Sequence, residues 1–330
     1  MSAAIWRWLP VSDTYKSLDL AGLLLLADVS AIARRTALKG TSSYLDALVL
    51  CPGLHKEQDA ANLSGGEYPA CAAMTTGYVF RVENEATVFY LQKIGRPGQL
   101  TTLSVFDANS SRGPLFTGTA YIAHLLTTYI FLGIYSIGDW WTFSVIGTLV
   151  LIRLMSVMII RRRAAMGWKG EPEPGVQGDL LILLSQDRWI RMRGAVDDLK
   201  AVTSGQWLRE PTSFESTITT SATLAIYLAA MVVPSATLKG QLSLVGLLLV
   251  STVLLGIDNE STKDSVMYGR RIVKFGVRQK YARRLDLAKQ LIKETGRDDW
   301  AARMGMIQRT EDTRHKDAES QSHERGPVIM

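Results

Sequence analysis

GTAYIAHLLTTYIFLGIYSIGDWWTFSVIGTLVLIRLMSVMII (Gly118–Ile160) is matched, after a polar interval, by STITTSATLAIYLAAMVVPSATLKGQLSLVGLLLVSTVLLGID (Ser216–Asp258). Each stretch is about 43 residues long with a break in its middle. Each half can cross ~30 Å of hydrocarbon at a helix rise of about 1.5 Å per residue. The expected fold is an α-helical membrane bundle of four spans, arranged as two hairpins, with a composite cytosolic α+β domain. The expected organisation has six parts. Residues 1–115 form an N-terminal cytosolic α+β segment with an interfacial helix at 18–33, and 117–160 form membrane hairpin 1. A cytosolic loop at 161–215 carries a β-hairpin and a helix, and 216–258 form membrane hairpin 2. A cytosolic strand with amphipathic helices covers 259–308, and 309–330 form a disordered tail.

The polar segments have readable local signals. Leu18–Ala33 has an apolar core of only seven residues before Asp28, too short to span, and reads as a buried or interfacial helix, with re-entry the lesser alternative. Tyr78–Lys93 alternates β-branched and aromatic residues around Glu83-Asn84-Glu85, a hairpin pattern, and Leu103–Phe106 suits a strand. Asp179–Gly194 has two short apolar runs around Gln186-Asp187, which predicts a second hairpin, with a helix at Ala195–Thr203. Val266–Val277 reads as one strand. Arg278–Glu294 reads as an amphipathic helix stopped by Gly296, with a last short helix over Asp298–Met306.

The 330 residues carry 37 Lys and Arg against 31 Asp and Glu, a net charge of +6. Mean hydropathy is +0.08, so a sizeable polar part must accompany the membrane core. The basic excess fits the cytoplasmic bias of membrane proteins. No basic face interleaved with aromatics suggests nucleic-acid binding. Cys51 and Cys71 lack metal-ligand spacing and suit a reducing compartment. The first sixteen residues contain no continuous apolar run of signal-peptide type. Arg161–Arg163 and Lys169 follow the second span, and Lys263, Arg270, Arg271 and Lys274 follow the fourth. The turns at Ser136–Trp141 and Pro234–Gln241 carry only Lys239. Positive residues stay on the cytosolic side, so both turns face outward and both termini face the cytosol, with the endoplasmic reticulum the expected membrane. On that topology the sequons at Asn62 and Asn109 stay unglycosylated.

Candidate chemistry lies within the membrane and at its inner edge. No P-loop, GxSxG, HExxH, Cys/His cluster or aspartate-rich diphosphate-binding motif occurs, so no cofactor or metal is expected. His124 lies about seven residues into the first span and Arg153 about eight into the second, roughly 10–12 Å deep. Thr219, Thr220, Ser221, Thr223 and Tyr227, with Ser251 and Thr252, lie at the same depth. Ionisable groups so placed usually face a cavity, although Arg153 could instead snorkel to the headgroups. Glu210 and Glu215 precede span three, and Asp258 and Glu260 follow span four. If the hairpin brings these ends together, one carboxyl could act as a general acid; solvated end charges and a helix cap are the plainer alternative. Asp139 is flanked by Trp140 and Trp141, which are either interfacial anchors or an acid beside cation-stabilising rings. The candidate catalytic acids are therefore Glu215, Asp258, Glu260 and Asp139. His124, Arg153, Tyr121, Tyr129, Tyr227, Trp140 and Trp141 are the candidate substrate-binding residues.

The run GDLLILLSQDRWIRMRGAVDDLKAVTSGQWLR (Gly178–Arg209) resembles a segment recurring in multi-pass membrane proteins of filamentous fungi. The tail KYARRLDLAKQLIKETGRDDWA (Lys280–Ala301) is similar. With the four-span layout the likeness covers roughly half the chain. Within that group the chain resembles the membrane-bound terpene cyclases of fungal meroterpenoid pathways, the ascofuranone type. No catalytic motif of that family is matched residue by residue. The resemblance implies acid-initiated, metal-independent cyclisation of a prenylated aromatic epoxide, an amphipathic lipid-like substrate, and pathway enzymes as partners. The alternative is a non-enzymatic membrane-anchored scaffold with a partner-binding cytosolic domain. A transporter fits less well, because no broken helices occur at matching places in the two halves.

Overall fold

The computed structural model describes residues 20–108 and 118–308. The expected linker Asn109–Pro114 and the expected tail 309–330 lie outside the described residues. Two short helices open the described part of the chain, α1 (Leu20–Leu25) and α2 (Ala31–Lys39). Two 3-10 helices follow, Tyr44–Leu48 and Leu54–Ser64. A mixed region comes next: β1 (Ala70–Ala73), β2 (Val79–Arg81), α3 (Glu85–Ile94) and β3 (Gln99–Asp107).

The long helices are α4 (Gly118–Ile137), α5 (Trp140–Arg163), α7 (Ser213–Val232) and α8 (Leu238–Ser261). Between the pairs lie β4 (Gln177–Leu184), β5 (Arg188–Ala195) and α6 (Val196–Thr203). After α8 come β6 (Ser265–Met267), β7 (Arg270–Lys274), β8 (Gln279–Lys280), α9 (Arg284–Thr295) and α10 (Asp299–Arg303). Among the described residues, three helices are long and apolar enough to cross a membrane: α5, α7 extended to Ser235, and α8. The described apolar run of α4, Tyr121–Ile137, is shorter.

The strands form one mixed sheet in the order β2-β1-β4-β5-β3-β7-β6, with β8 also pairing β3. Among the described residues, only the β3–β5 pair is parallel. One face, carrying Leu103, Val105, Ile182, Ile190 and Met192, packs on α2, α3 and α6 and reaches Ile160 of α5. The other face, carrying Leu100, Leu181 and Trp189, is covered by Leu287, Leu291 and Trp300 of α9 and α10. Alternating side chains along each strand feed the two cores, the period of two that a sheet covered on both faces requires.

Several expectations are met. The β4–β5 hairpin turns at Gln186 and Asp187, both at positive φ (59° and 52°). α6 follows directly, Gly296 ends α9 in the left-handed conformation, and α10 falls inside Asp298–Met306. Others are corrected. Tyr78–Lys93 is not a hairpin: β2 ends at Arg81, and Asn84 caps α3 by accepting from the Thr87 amide at 3.0 Å. The same apolar residues that alternate as a strand also fall at helical spacing, and the cap decides. Val266–Val277 is a β6–β7 hairpin rather than one strand. The amphipathic helix begins at Arg284 rather than Arg278, because Gln279-Lys280 pairs with β3.

The largest correction concerns 18–33. Its described part is broken into α1 and α2 instead of one helix, and α1 takes the buried alternative. It packs between α7 and α8, whose principal partners are otherwise α5 and α4. Gly22 permits this approach: a Cβ there would stand 2.7 Å from the Ala230 carbonyl oxygen. Ala21 and Leu25 join the bundle core, as do Ile32, Leu50, Cys51 and Leu54. The N-terminal segment thus enters the helical bundle instead of lying beneath it.

Candidate functional site

The inserted segment brings charge with it. Arg35 of α2 is 3% exposed, and its guanidinium pairs with Asp46 at 3.1 Å and with Asp258 of α8. Asp46 belongs to the first 3-10 helix, where it also closes a capping box with Ser43. Glu57, fully buried in the second 3-10 helix, pairs with Arg153 of α5. Its other oxygen accepts from Thr36 Oγ1 at 3.1 Å and Ser42 Oγ at 3.2 Å. Arg153 Nε donates to the Asp46 carbonyl at 3.2 Å, which joins the two ion pairs into one network. His124 of α4 completes it, with Nε2 4.0 Å from Asp46 Oδ1.

Burial alone would cost each of these charges several kcal/mol, so they persist only as a paired set. Burial works against the Asp46 carboxylate. The Arg35 charge, the Ser43 amide and Arg153 outweigh it and hold the carboxyl below its ordinary range. Lys39 borders the network. Burial, reinforced by Arg35, draws its ammonium down to about 8 against the opposing pull of Asp46 and Asp258.

His124 and Arg153 do meet at one level, as expected from the sequence. Each lies thirteen residues from the α4–α5 turn, about 20 Å by helix rise. Arg153 does not snorkel, since Glu57 holds it. Asp258 also joins the network, but as an ion-paired carboxylate rather than a free acid. Its expected cluster with Glu215 does not form. Glu215 accepts from Arg209 at 2.6 Å and from the Thr212 amide at 2.9 Å, in a capping box that starts α7. Glu260 is exposed beside Arg34 and Lys93.

Asp139 stands at the opposite end of the bundle as the N-cap of α5. It accepts from Thr142 N and Oγ1 and from Thr237 N and Oγ1, clamping the α4–α5 and α7–α8 turns together. Trp140 and Trp141 are exposed there, Trp140 edge-on to Tyr135 and Phe143. Tyr121 presents its ring to His124 with centroids 6.2 Å apart. Tyr129 is exposed, and Tyr227 lies near the His55 ring instead of the network. The hydroxyls of Thr219, Thr220, Thr223 and Thr252 bond to carbonyls four residues back in their own helices, so they add nothing to the polar layer.

Sequence reasoning missed Arg35, Lys39, Asp46 and Glu57. Their one available signal was the position of charged residues beside short apolar runs, Leu20–Ala27 and Tyr44–Leu50, too short to span. Beside the network an apolar groove of about 510 Å³ runs between α4 and α5. It is lined by Leu48, Thr127, Thr128, Phe131, Leu132, Gly147, Val150 and Leu151. Gly147 keeps it open, since the nearest atom to a Cβ there is on Phe131 at 3.9 Å. Among the described residues no group of His, Cys, Asp and Glu is arranged to hold a metal ion. No family model, curated protein or solved structure matches this chain.

Proposed function

We propose that the protein binds an amphipathic, lipid-like molecule where the α4–α5 groove meets the ion-pair network. It then acts on that molecule by acid-initiated cyclisation, as the resemblance to membrane-bound terpene cyclases implies. The observation that supports this reading is adjacency. Leu48 and Thr127 line the groove, while Asp46 and His124, two and three residues away, belong to the network. The groove suits a prenyl chain, and the network end suits a polar, epoxide-bearing head.

His124, whose Nε2 lies 4.0 Å from the Asp46 carboxylate, is the proposed proton donor in place of the four carboxyls, which are tied up elsewhere or exposed. It gives its proton to the epoxide oxygen as the carbon–oxygen bond breaks. An alkene attacks the resulting cation, and a final proton loss returns the proton to the imidazole. Phe131 and Tyr121 supply aromatic faces near the cation. We place the sheet on the cytosolic side of the endoplasmic reticulum, with α4 as a fourth span, because Arg161–Arg163, Arg270 and Arg271 flank the sheet end of the bundle. Enzymes that prenylate and epoxidise an aromatic precursor are the expected partners.

The test is incubation of membranes carrying the protein with prenylated phenol epoxides, followed by product analysis. Cyclised product is expected, and His124→Ala should lower turnover about 10²- to 10⁴-fold, the contribution typical of a general acid. No product beyond control membranes sinks the cyclase, and full turnover by His124→Ala sinks the acid assignment. A second reading, the non-enzymatic scaffold, is favoured by one observation: Asp46, Glu57 and Asp258 each already have a guanidinium partner. It predicts that His124→Ala leaves the cellular phenotype intact.

A further inference from the structure

A second, cationic pocket lies at the sheet end of α5, outside the ion-pair network. Thr41, Tyr44, Met158, Arg161 and Arg162 enclose about 340 Å³. The Arg161 guanidinium lies 4.4 Å over the Tyr44 ring, and one N–H donates to the Ser42 carbonyl at 3.0 Å. That contact uses one of five donors and fixes the plane of the fork. Arg162 is exposed, and its nearest carboxylate, Glu215, is 4.0 Å away. Two guanidiniums therefore share the pocket with two hydroxyl-bearing side chains, and the one carboxylate at ion-pair range of Arg162, Glu215, is already bound by Arg209, so the donor set is matched to a phosphate.

What lies next to the pocket separates a lipid phosphate from a soluble one. Met158, Met155 and Leu151 continue from it along a single face of α5 at three- and four-residue spacing. All three are exposed, as is Leu45 of the Tyr44–Leu48 3-10 helix that packs on α5. From Arg162 to Leu151 is about 16 Å by helix rise, the depth of one leaflet of a ~30 Å hydrocarbon core. A soluble phosphate would have no use for that stripe, whereas an acyl chain would cover it.

We propose that this pocket binds the phosphate of an anionic phospholipid, whose acyl chain lies along Met158, Met155 and Leu151. The phosphate end shares no residue with the α4–α5 groove, and only Leu151, at the far end of the stripe, lines both, so phosphate binding stands whether or not the protein is a cyclase. The full chain, purified in mild detergent, is titrated with phosphatidic acid, with phosphatidylcholine and with soluble glycerol phosphate. Thermal unfolding and native mass spectrometry report binding. Phosphatidic acid should raise the unfolding midpoint and remain bound, and phosphatidylcholine should do so far less.

Arg161→Gln/Arg162→Gln should weaken phosphatidic acid binding about 30-fold, as the loss of two cations near an anionic surface implies. Lys280→Gln/Lys289→Gln, the same change of charge at exposed positions on β8 and α9, should leave it unchanged. If the double glutamine variant does not fold, Arg161→Lys/Arg162→Lys decides, because it keeps the charge but loses the fork and should still bind several-fold more weakly. Equal binding of phosphatidylcholine overturns the proposal. So does an equal shift with glycerol phosphate, or undiminished binding by both arginine variants.

Discussion

At the scale of the residue, Lys39 gives the clearest test of the network. It shares α2 with Arg35 and is opposed by Asp46 and Asp258. Its folded value of about 8 lies below the ~10.4 of an unfolded lysine. Between those values the unfolded chain holds a proton that the folded chain has released. This group therefore adds stability as pH rises from about 8 toward 10, and none of that gain is present below 8. Chemical denaturation at stepped pH should show wild type gaining on Lys39→Met across this window, and parallel curves would rule the burial effect out. Little of this was legible in the sequence. Lys39 follows a run of ordinary helical residues, and only the fold sets Asp258, over two hundred residues away, near it. His124 and Arg153 were legible because a charge inside an apolar run stands out.

At the scale of the element, close approach decides the arrangement. Gly240, in the first turn of α8, lies against Asp139 and Thr142, so α8 can start where the Asp139 clamp needs Thr237. Gly240→Ala would drive a methyl into that clamp. The expected cost is about 2 kcal/mol, from overpacking and loss of the cap, seen as a lower unfolding midpoint in detergent. Gly246→Ala is the control, because nothing stands within 4 Å of its Cβ position. An equal loss from both would mean helix flexibility rather than contact. The long helices and the β4–β5 hairpin were readable because length, apolarity and turn residues are local signals. α3 was misread because its residues satisfy two periods, and the Asn84 cap outweighs the β-branched bias.

At the scale of the molecule, residues 20–64 belong to two cores. Ile32, Leu50 and Leu54 pack with the helical bundle, while Ala33, Ala37, Leu38 and Ala60 pack beneath the sheet. Arg153 and Glu57 bind the segment to α5. Arg153→Leu strands a buried carboxylate and should cost about 3–5 kcal/mol, whereas Glu57→Gln/Arg153→Met should cost far less. Because the segment is shared, near-ultraviolet circular dichroism of the sheet tryptophans and limited proteolysis of the bundle should report one transition, shifted together. Separate transitions would show that the segment does not couple the two parts.

The sequence by itself determined the long apolar helices, the polar fraction that must accompany them, the β4–β5 hairpin and the shared level of His124 and Arg153. Those follow from composition and helix rise, which are properties of neighbouring residues. Only the tertiary structure decided that α1 wedges between α7 and α8, that Arg35, Asp46 and Glu57 meet Asp258 and Arg153, and that Glu215 and Asp139 serve as caps. A charge must find its partner when it is buried, and the partner's position along the chain leaves no local mark. The two apolar stretches, Gly118–Ile160 and Ser216–Asp258, are therefore the walls of a bundle whose charged interior is supplied largely by the segment before them.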